Sequence, residues 1–270
     1  MLSICRIMGI LNVTPDSFYD GGAFFHTGKA IERAYRIREE GADIIDIGGE
    51  STRPGSKPVL AGEEIDRVCP VIESIAADIG IPVSVDTNKA AVARAALKAG
   101  ASIVNDISGL TFDGEMAKTV AEHGAGLILM HIQGRPDTMQ LNPRYGDLIG
   151  EISVFLGEAA RKAVTAGVDQ SKIIVDPGIG FGKTLEDNYR IIQNIPEFKK
   201  LGHPVLVGLS RKSLIGKLYE SDEDRLPATI ALNAAAVLNG ADIIRVHDVR
   251  EHRLALESLE MLKRVSQRYE

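Results

Sequence analysis

Short runs of β-branched and apolar residues recur along this chain, and each is followed by a longer stretch of helical period. That alternation constrains the fold more than any other feature, because strands separated by helices favour a parallel sheet. Strands are expected near Ile4–Val13, Ile44–Ile47, Val83–Val85, Ile103–Val104, Gly126–Met130, Ile173–Val175, Pro204–Val207 and Ile243–Val246. Helices are expected at Lys29–Glu40, Glu63–Ala77, Lys89–Lys98, Asp113–His123, Asp147–Ala166, Asn188–Ile195, Leu226–Leu238 and Glu251–Val265. In the first, Ala30, Ile31, Ala34 and Ile37 form one apolar stripe. An internal repeat marks the junctions. Gly41-Ala42-Asp43-Ile44-Ile45-Asp46 resembles Gly100-Ala101-Ser102-Ile103-Val104-Asn105, and both resemble Gly240-Ala241-Asp242-Ile243-Ile244-Arg245. Each glycine falls where a helix should stop, at a position whose positive φ favours glycine. About eight such units in 270 residues fit one (β/α)8 barrel over residues 1–270. An open doubly wound sheet is the alternative, but no Gly-x-Gly-x-x-Gly opens the first helix. No linker marks a second domain.

Composition narrows the partners. Lys and Arg number 31 against 37 Asp and Glu, a net charge of −6. With no basic block, a nucleic-acid groove is disfavoured, and an anionic ligand must be held by local positive charge. Two cysteines, Cys5 and Cys69, support neither a disulfide framework nor a Cys-rich zinc site. A reducing cytoplasm is the expected location. No signal-like segment precedes the first strand, and no apolar run approaches the roughly 18 residues of a membrane span.

The strands tend to stop at polar residues: Asn12, Asp46, Asp86, Asn105, His131, Asp176, Ser210 with Lys212, and Arg245 with His247. In a barrel these tips converge on the face where chemistry is done. The plain alternative is that each caps a helix or satisfies a loop. That fits one Asp or Asn, but poorly fits a set mixing acceptors with Lys, Arg and His. Two connections, Asn12–Gly22 and Gly48–Pro58, are long, follow strands and are rich in Gly and Pro, as hinged lids are. No Gly-x-Ser-x-Gly elbow supplies a nucleophile, and His123 and His131 lack zinc-ligand spacing. Phosphate chemistry fits better. Arg53, Arg245 and His247 offer cationic donors, and Asn12 and Thr52 neutral ones. Arg245 and His247 alternate on a strand end, so both can face one side. Asp86, Asn105, Asp176 and Lys212 form a second set suited to a flat, polar heterocycle. A buried Asp–Lys pair without a ligand is the alternative there. His131 is read as a hydrogen-bonded structural residue, and Lys183 lacks the spacing of a phosphate loop.

Met8–Phe18 (MGILNVTPDSF), Asp46–Gly55 (DIGGESTRPG), Ser84–Thr87 (SVDT) and Asn105–Gly109 (NDISG) carry a resemblance to the dihydropteroate synthase family. It continues through Met130-His131 to Met139-Gln140, then Asp176–Lys183 (DPGIGFGK), Ser210–Ser213 (SRKS) and Arg245–Val249 (RVHDV). It covers almost the whole chain in order. The departures are little extension before the first strand, and Leu110 after the Asn105 motif.

The resemblance implies a TIM barrel joining 6-hydroxymethyl-7,8-dihydropterin diphosphate to 4-aminobenzoate in folate biosynthesis. It assigns the pterin to Asp86, Asn105, Asp176 and Lys212, walled by Ile107, Met130, Phe181 and Gly208. Diphosphate falls to Asn12, Thr52, Arg53, Arg245 and His247. Asn12 is the implied protein ligand to Mg2+, and the aminobenzoate lies near Phe18, Pro54, Lys212 and Ser213. Asp16, Arg53, Lys212, Arg245 and His247 are the implied catalytic residues. Two other readings stand beside it: a methyltetrahydrofolate methyltransferase, which needs no diphosphate site, and a non-catalytic pterin-binding paralogue. The stripes Leu232, Ala235, Ala236, Leu238 and Leu256, Leu259, Leu262 read as core or as a dimer seam, and the resemblance implies a homodimer through these late helices.

Overall fold

Five helices end in the same hydrogen-bonded closure, and that closure turns the chain towards the next strand. At Gly41, Gly100, Gly124, Gly167 and Gly240, φ is +100°, +112°, +59°, +102° and +102°. In each case the glycine N–H donates three residues back and the following N–H five residues back, as in Ala42 to Ile37 at 3.1 Å and Ala241 to Ala236 at 3.0 Å. This is a Schellman closure, which satisfies the last helical carbonyls and requires the left-handed glycine. The repeat detectable in the sequence is therefore a repeated helix stop.

The structure is a computed structural model and describes residues 5–14, 23–51, 56, 58–216 and 221–266, with backbone alone at 23–26, 213–214, 222–223 and 263–266. In chain order the elements are β1 (Arg6–Asn12), α1 (Ala23–Glu39), β2 (Ile44–Gly48), α2 (Ala61–Ile75), β3 (Val83–Asp86), α3 (Ala90–Lys98), β4 (Ile103–Asp106), α4 (Met116–Glu122) and β5 (Gly126–Met130). They continue with α5 (Leu148–Thr165), β6 (Ile173–Asp176), α6 (Leu185–Gln193), α7 (Ile195–Lys199), β7 (Leu206–Val207), α8 (Ser213–Gly216), α9 (Asp222–Leu238), β8 (Ile243–Val246) and α10 (Val249–Ser266). Every named strand pair is parallel, in the order β6-β5-β4-β3-β2-β1-β8-β7. The two end strands meet at a bridge between Val175 and Val205, where the Val175 N–H donates to Pro204 O at 3.0 Å. The sheet is thus a nearly closed (β/α)8 barrel, and the open-sheet alternative is excluded.

Strand alternation sorts the side chains. Met8, Ile44, Ile128, Ile174, Leu206 and Ile243 fill the lumen with Ile103. Their neighbours, among them Ile7, Ile45, Val104, Leu127, Val175 and Ile244, pack outward with the helices. At the strand N-termini the acid of the repeat has a fixed task. Asp43 Oδ2 accepts the Ile7 N–H at 2.7 Å, and Asp242 Oδ2 accepts the Val205 N–H at 2.7 Å. Each ties an amide near the start of a neighbouring strand, which gives that end of the barrel a structural role. No described helix is long and apolar enough to cross a membrane.

Several boundaries differ from expectation. The first strand is Arg6–Asn12, with Cys5 and Val13 outside it. The seventh shrinks to Leu206–Val207, since Pro204 has no N–H for the ladder. The single helix expected at Asn188–Ile195 is two, broken at Asn194 (φ −108°, ψ 21°), with a proline in the first turn of α7. The fourth helix starts at Met116, because Asp113 instead accepts the amides of Ala90 and Glu115. The short helix α8 had no periodic signal in the sequence.

Candidate active site

The parity that puts Ile44, Ile103 and Ile174 in the lumen puts Asp46, Asn105 and Asp176 there too, nearer the strand C-termini. Register sets their heights. Asn12 pairs with Gly48, Gly48 with Asp86, and Asp86 with Asn105, so these form one level across four strands. Arg245 starts deeper, level with Met8. Its long side chain climbs to that level: Nε donates to Asp46 Oδ2 and Nη2 to Asp86 Oδ2, each at 2.6 Å. Asn105 Nδ2 donates to the same Asp46 oxygen at 3.0 Å. One fully buried carboxylate therefore anchors both the arginine and the amide.

Proton affinities at this rim are displaced. Burial pushes Asp86 up to about 7, with Arg245 working against the shift and Asp46 adding to it. Burial also raises Asp176, against the pull of Lys212 and the Gly178 amide, which donates to Asp176 Oδ1 at 2.7 Å. Lys212 is drawn down to about 8 by burial, with Asp176 opposing that. For Arg245, burial is outweighed by Asp46 and Asp86, which hold its charge firmly. Acids that lean towards neutrality beside fixed cations are a common signature of a working site.

Lys212 lies beyond β7. Its Nζ donates to Ile179 O and sits 4.6 Å from the Phe181 ring centroid. Phe181, Ile107, Met130, Ile132 and Met139 form one apolar cluster, flanked by Phe112. The three side-chain walls expected for the heterocycle thus stand together. Gly208 leaves its backbone open, since a Cβ there would lie 3.6 Å from Lys212 Nζ and 3.8 Å from Arg245 Cβ. Ser210 Oγ accepts the His247 N–H at 3.2 Å and lies 3.0 Å from its Nδ1, so the serine orients the imidazole.

His131 departs from the other strand tips. It continues the parity of Leu127 and Leu129 and faces the helices, with its ring edge-on to Phe155 at 4.9 Å. The structural reading of His131 fits this placement. Asp16, Phe18, Thr52, Arg53 and Pro54 lie outside the described residues, and of Ser213 only the backbone, at the start of α8, is described. Asp46 was noted as a strand tip without a role; its parity with Ile44 was the signal that placed it under Arg245. Gln140, whose Nε2 donates to Gly180 O at 2.7 Å, and Met139 were quoted only as part of a motif.

For a cation, the relevant donor is Asn12 Oδ1. It lies on the lumen side near Asp86, each within 4 Å of a Cβ placed on Gly48. Among the described residues no group of three His, Cys, Asp or Glu side chains is arranged to hold a metal. An amide oxygen at such a rim suits Mg2+, which keeps waters and shares substrate phosphates, better than a metal needing an all-protein cage.

A family model described as "Pterin binding enzyme" matches residues 8–247. The dihydropteroate synthase of Synechocystis sp. is 51% identical over 245 residues, covering 90% of this chain and 85% of that protein. A solved Xanthomonas albilineans dihydropteroate synthase with 4-aminobenzoic acid superposes with a TM-score of 0.90 at 42% identity, covering 96% of this chain and 93% of that one. The same organism's enzyme in complex with 7,8-dihydropteroate gives a TM-score of 0.87 at 39% identity, covering 97% and 95%.

Proposed function

Since the chain belongs to the pterin-binding enzymes and, within them, to the dihydropteroate synthases, we propose that its upper rim moves a pterinylmethyl group from 6-hydroxymethyl-7,8-dihydropterin diphosphate to the amine of 4-aminobenzoate. Diphosphate leaves. The ligands named for the two related structures are one substrate and the product of this reaction, which supports the assignment. The observation that carries the reading is the joint at Arg245, a cation paired with the buried carboxylates Asp46 and Asp86 and standing two residues before His247.

In this reading Asp86 and Asp176 accept the N–H edge of the pterin. Asn105, its amide held by Asp46, and Lys212 read the rest of the ring. Ile107, Met130 and Phe181 press on its faces, and Gly208 lets it approach the backbone. Arg245 keeps Asp46 on Nε and turns Nη2 from Asp86 to the departing diphosphate, which Thr52, Arg53, His247 and Asn12 also hold. Asn12 would be the protein ligand to Mg2+, which when bound supplies charge neutralisation for the diphosphate. The aminobenzoate lies near Phe18, Pro54, Lys212 and Ser213, and Asp16 helps order the first loop.

The order of bond changes follows from the groups at hand. An aniline-type amine is neutral at pH 7 and needs no base, so the difficult step is loss of the leaving group. Fixed cations at the diphosphate lower that barrier electrostatically. The C–O bond therefore breaks first, leaving a methylene cation stabilised by the pterin ring. Two small substrates and this synthesis fit the cytoplasm. Leu254 and Met261, one helical stripe on α10, and Leu238 at the end of α9 are all more than half exposed. A homodimer through these late helices would cover them. The test of the reaction is diphosphate release with both substrates, matched by dihydropteroate formation. Omitting aminobenzoate leaves slow cleavage of the pterin diphosphate, whereas a complete lack of cleavage would favour concerted displacement.

A further inference from the structure

The reaction leaves unused a fully buried lysine and the one strand-tip histidine that faces away from the lumen. Lys183 ends the Gly-rich turn after β6, and its Nζ reaches back to three acceptors. These are Phe181 O at 2.9 Å, His131 Nδ1 at 3.0 Å and His131 O at 3.4 Å. An ammonium has three N–H bonds, so each one has a taker. With Lys183 charged, His131 Nδ1 is the acceptor and the imidazole proton sits on Nε2. The cluster lies directly behind the apolar wall, since His131 follows Met130, the last residue of β5, and the two point to opposite sides.

The segments after β5 and β6 meet here. The His131 N–H donates to Asp176 O at 2.9 Å, and Tyr145 Oη donates to Gly182 O at 2.7 Å. Gly178 (φ +72°) and Gly182 (φ +65°) permit the approach, because a Cβ would fall 1.8 Å from His131 O and 2.4 Å from Gln133 O. The segment from Gly178 to Phe181 is consequently gripped from two sides. Lys212 holds Ile179 O from the lumen, and Lys183 holds Phe181 O from the rear. The Phe181 ring, under Lys212, is the part of that segment facing the site.

We infer that Lys183 and His131 are a positioning pair for the pterin: together they fix the Phe181 backbone, and through it the ring that walls the heterocycle. Neither group touches substrate. The inference rests on the pterin assignment made above. Burial, with the Lys183 charge beside it, pulls His131 down to about 3 and so keeps a neutral acceptor in place. Burial also lowers Lys183 to about 7, against the pull of Asp176.

The experiment compares wild type with Lys183→Met, Lys183→Gln, His131→Leu and His131→Asn. Affinity for 6-hydroxymethyl-7,8-dihydropterin is measured by calorimetry, and KM for each substrate and kcat are measured kinetically. Lys183→Met and His131→Leu are expected to weaken pterin affinity at least about tenfold, with the aminobenzoate KM within about twofold. Lys183→Gln should fall between, since an amide can serve two of the three acceptors. His131→Asn, whose Oδ1 can stand in for Nδ1, should recover most of what His131→Leu loses. Wild-type pterin affinity in Lys183→Met or His131→Leu overturns the inference. So does an equal fall in both affinities and kcat, which a general loss of structure would give. If Lys183→Met does not fold, the pair of His131 variants decides. A wild type that fails to bind the pterin overturns the site assignment instead.

Discussion

Asp86 and Lys212 stand at the rim with proton affinities brought close together near neutrality, about 7 and about 8. An Asp86 carboxylate accepts two N–H donors, but its acid form does not, so pterin affinity should rise as pH climbs through about 7. Above about 8 Lys212 loses its charge and affinity should fall, with each limb approaching about tenfold per pH unit. Calorimetric titration of 6-hydroxymethyl-7,8-dihydropterin between about pH 5.5 and 9.5 reads both limbs. Asp86→Asn should flatten the acidic one, and a flat wild-type profile contradicts the assignment. Much at this level was legible beforehand. The polar strand ends Asp86, Asn105, Asp176 and Arg245 do converge, because strand parity is written in the residue spacing. The partner of Arg245 was not legible, since register decides that a guanidinium rooted beside Met8 reaches Asp46 and Asp86. Nor could a linear sequence show that the outward-facing His131 meets Lys183.

The repeated helix stops make a graded forecast at the level of elements. Gly240→Ala meets only ordinary contact, with Lys199 Cγ 3.8 Å from the new Cβ, so its cost is that of a left-handed alanine, about 1–2 kcal/mol. Gly100→Ala adds a collision with Ala76 Cβ at 2.6 Å and should cost more. Chemical denaturation reads the order, and equal costs would contradict it. Pterin affinity should be unchanged in both, since these turns lie at the opposite end of the barrel from the site. A second forecast concerns the root of the loop after β2. There Lys89 Nζ bridges Glu50 at 2.5 Å and fully buried Glu64 at 2.6 Å, and Glu50 also accepts the Val59 N–H at 2.8 Å. Burial opposes the Lys89 charge, but the bonds from Glu50 and Glu64 outweigh it. Lys89→Met strands the Glu64 carboxylate and should lower stability by about 3–5 kcal/mol, measured by urea unfolding; a change below about 1 kcal/mol would count against the bridge. The glycine stops were readable as a repeat. The bridge was not, because its members are 14 to 39 positions apart and carry no local period.

The whole barrel separates two tasks by its ends. The strand N-termini carry acids that tie neighbouring amides, and the C-termini carry the paired acids and cations to which the proposed reaction assigns its substrate. The alternation of strands and helices was enough to foresee the polar face at the strand C-termini, whereas the ties at the other end and the association of chains were not, the latter because the late-helix stripes mix core with surface. Leu256 is buried while Leu238 is more than half exposed. Light scattering should give twice the chain mass, and Leu254→Glu with Met261→Glu should return it to one; a monomeric wild type would contradict the homodimer. The electrostatic account of catalysis stands or falls on Arg245. Arg245→Gln keeps an N–H donor for Asp46 while removing the charge, and its single-turnover rate of diphosphate release can be set against that of wild type. A fall of at least about 100-fold, worth about 2.7 kcal/mol, is the expected result; a rate within about threefold of wild type would show that the cation does not assist the bond rupture.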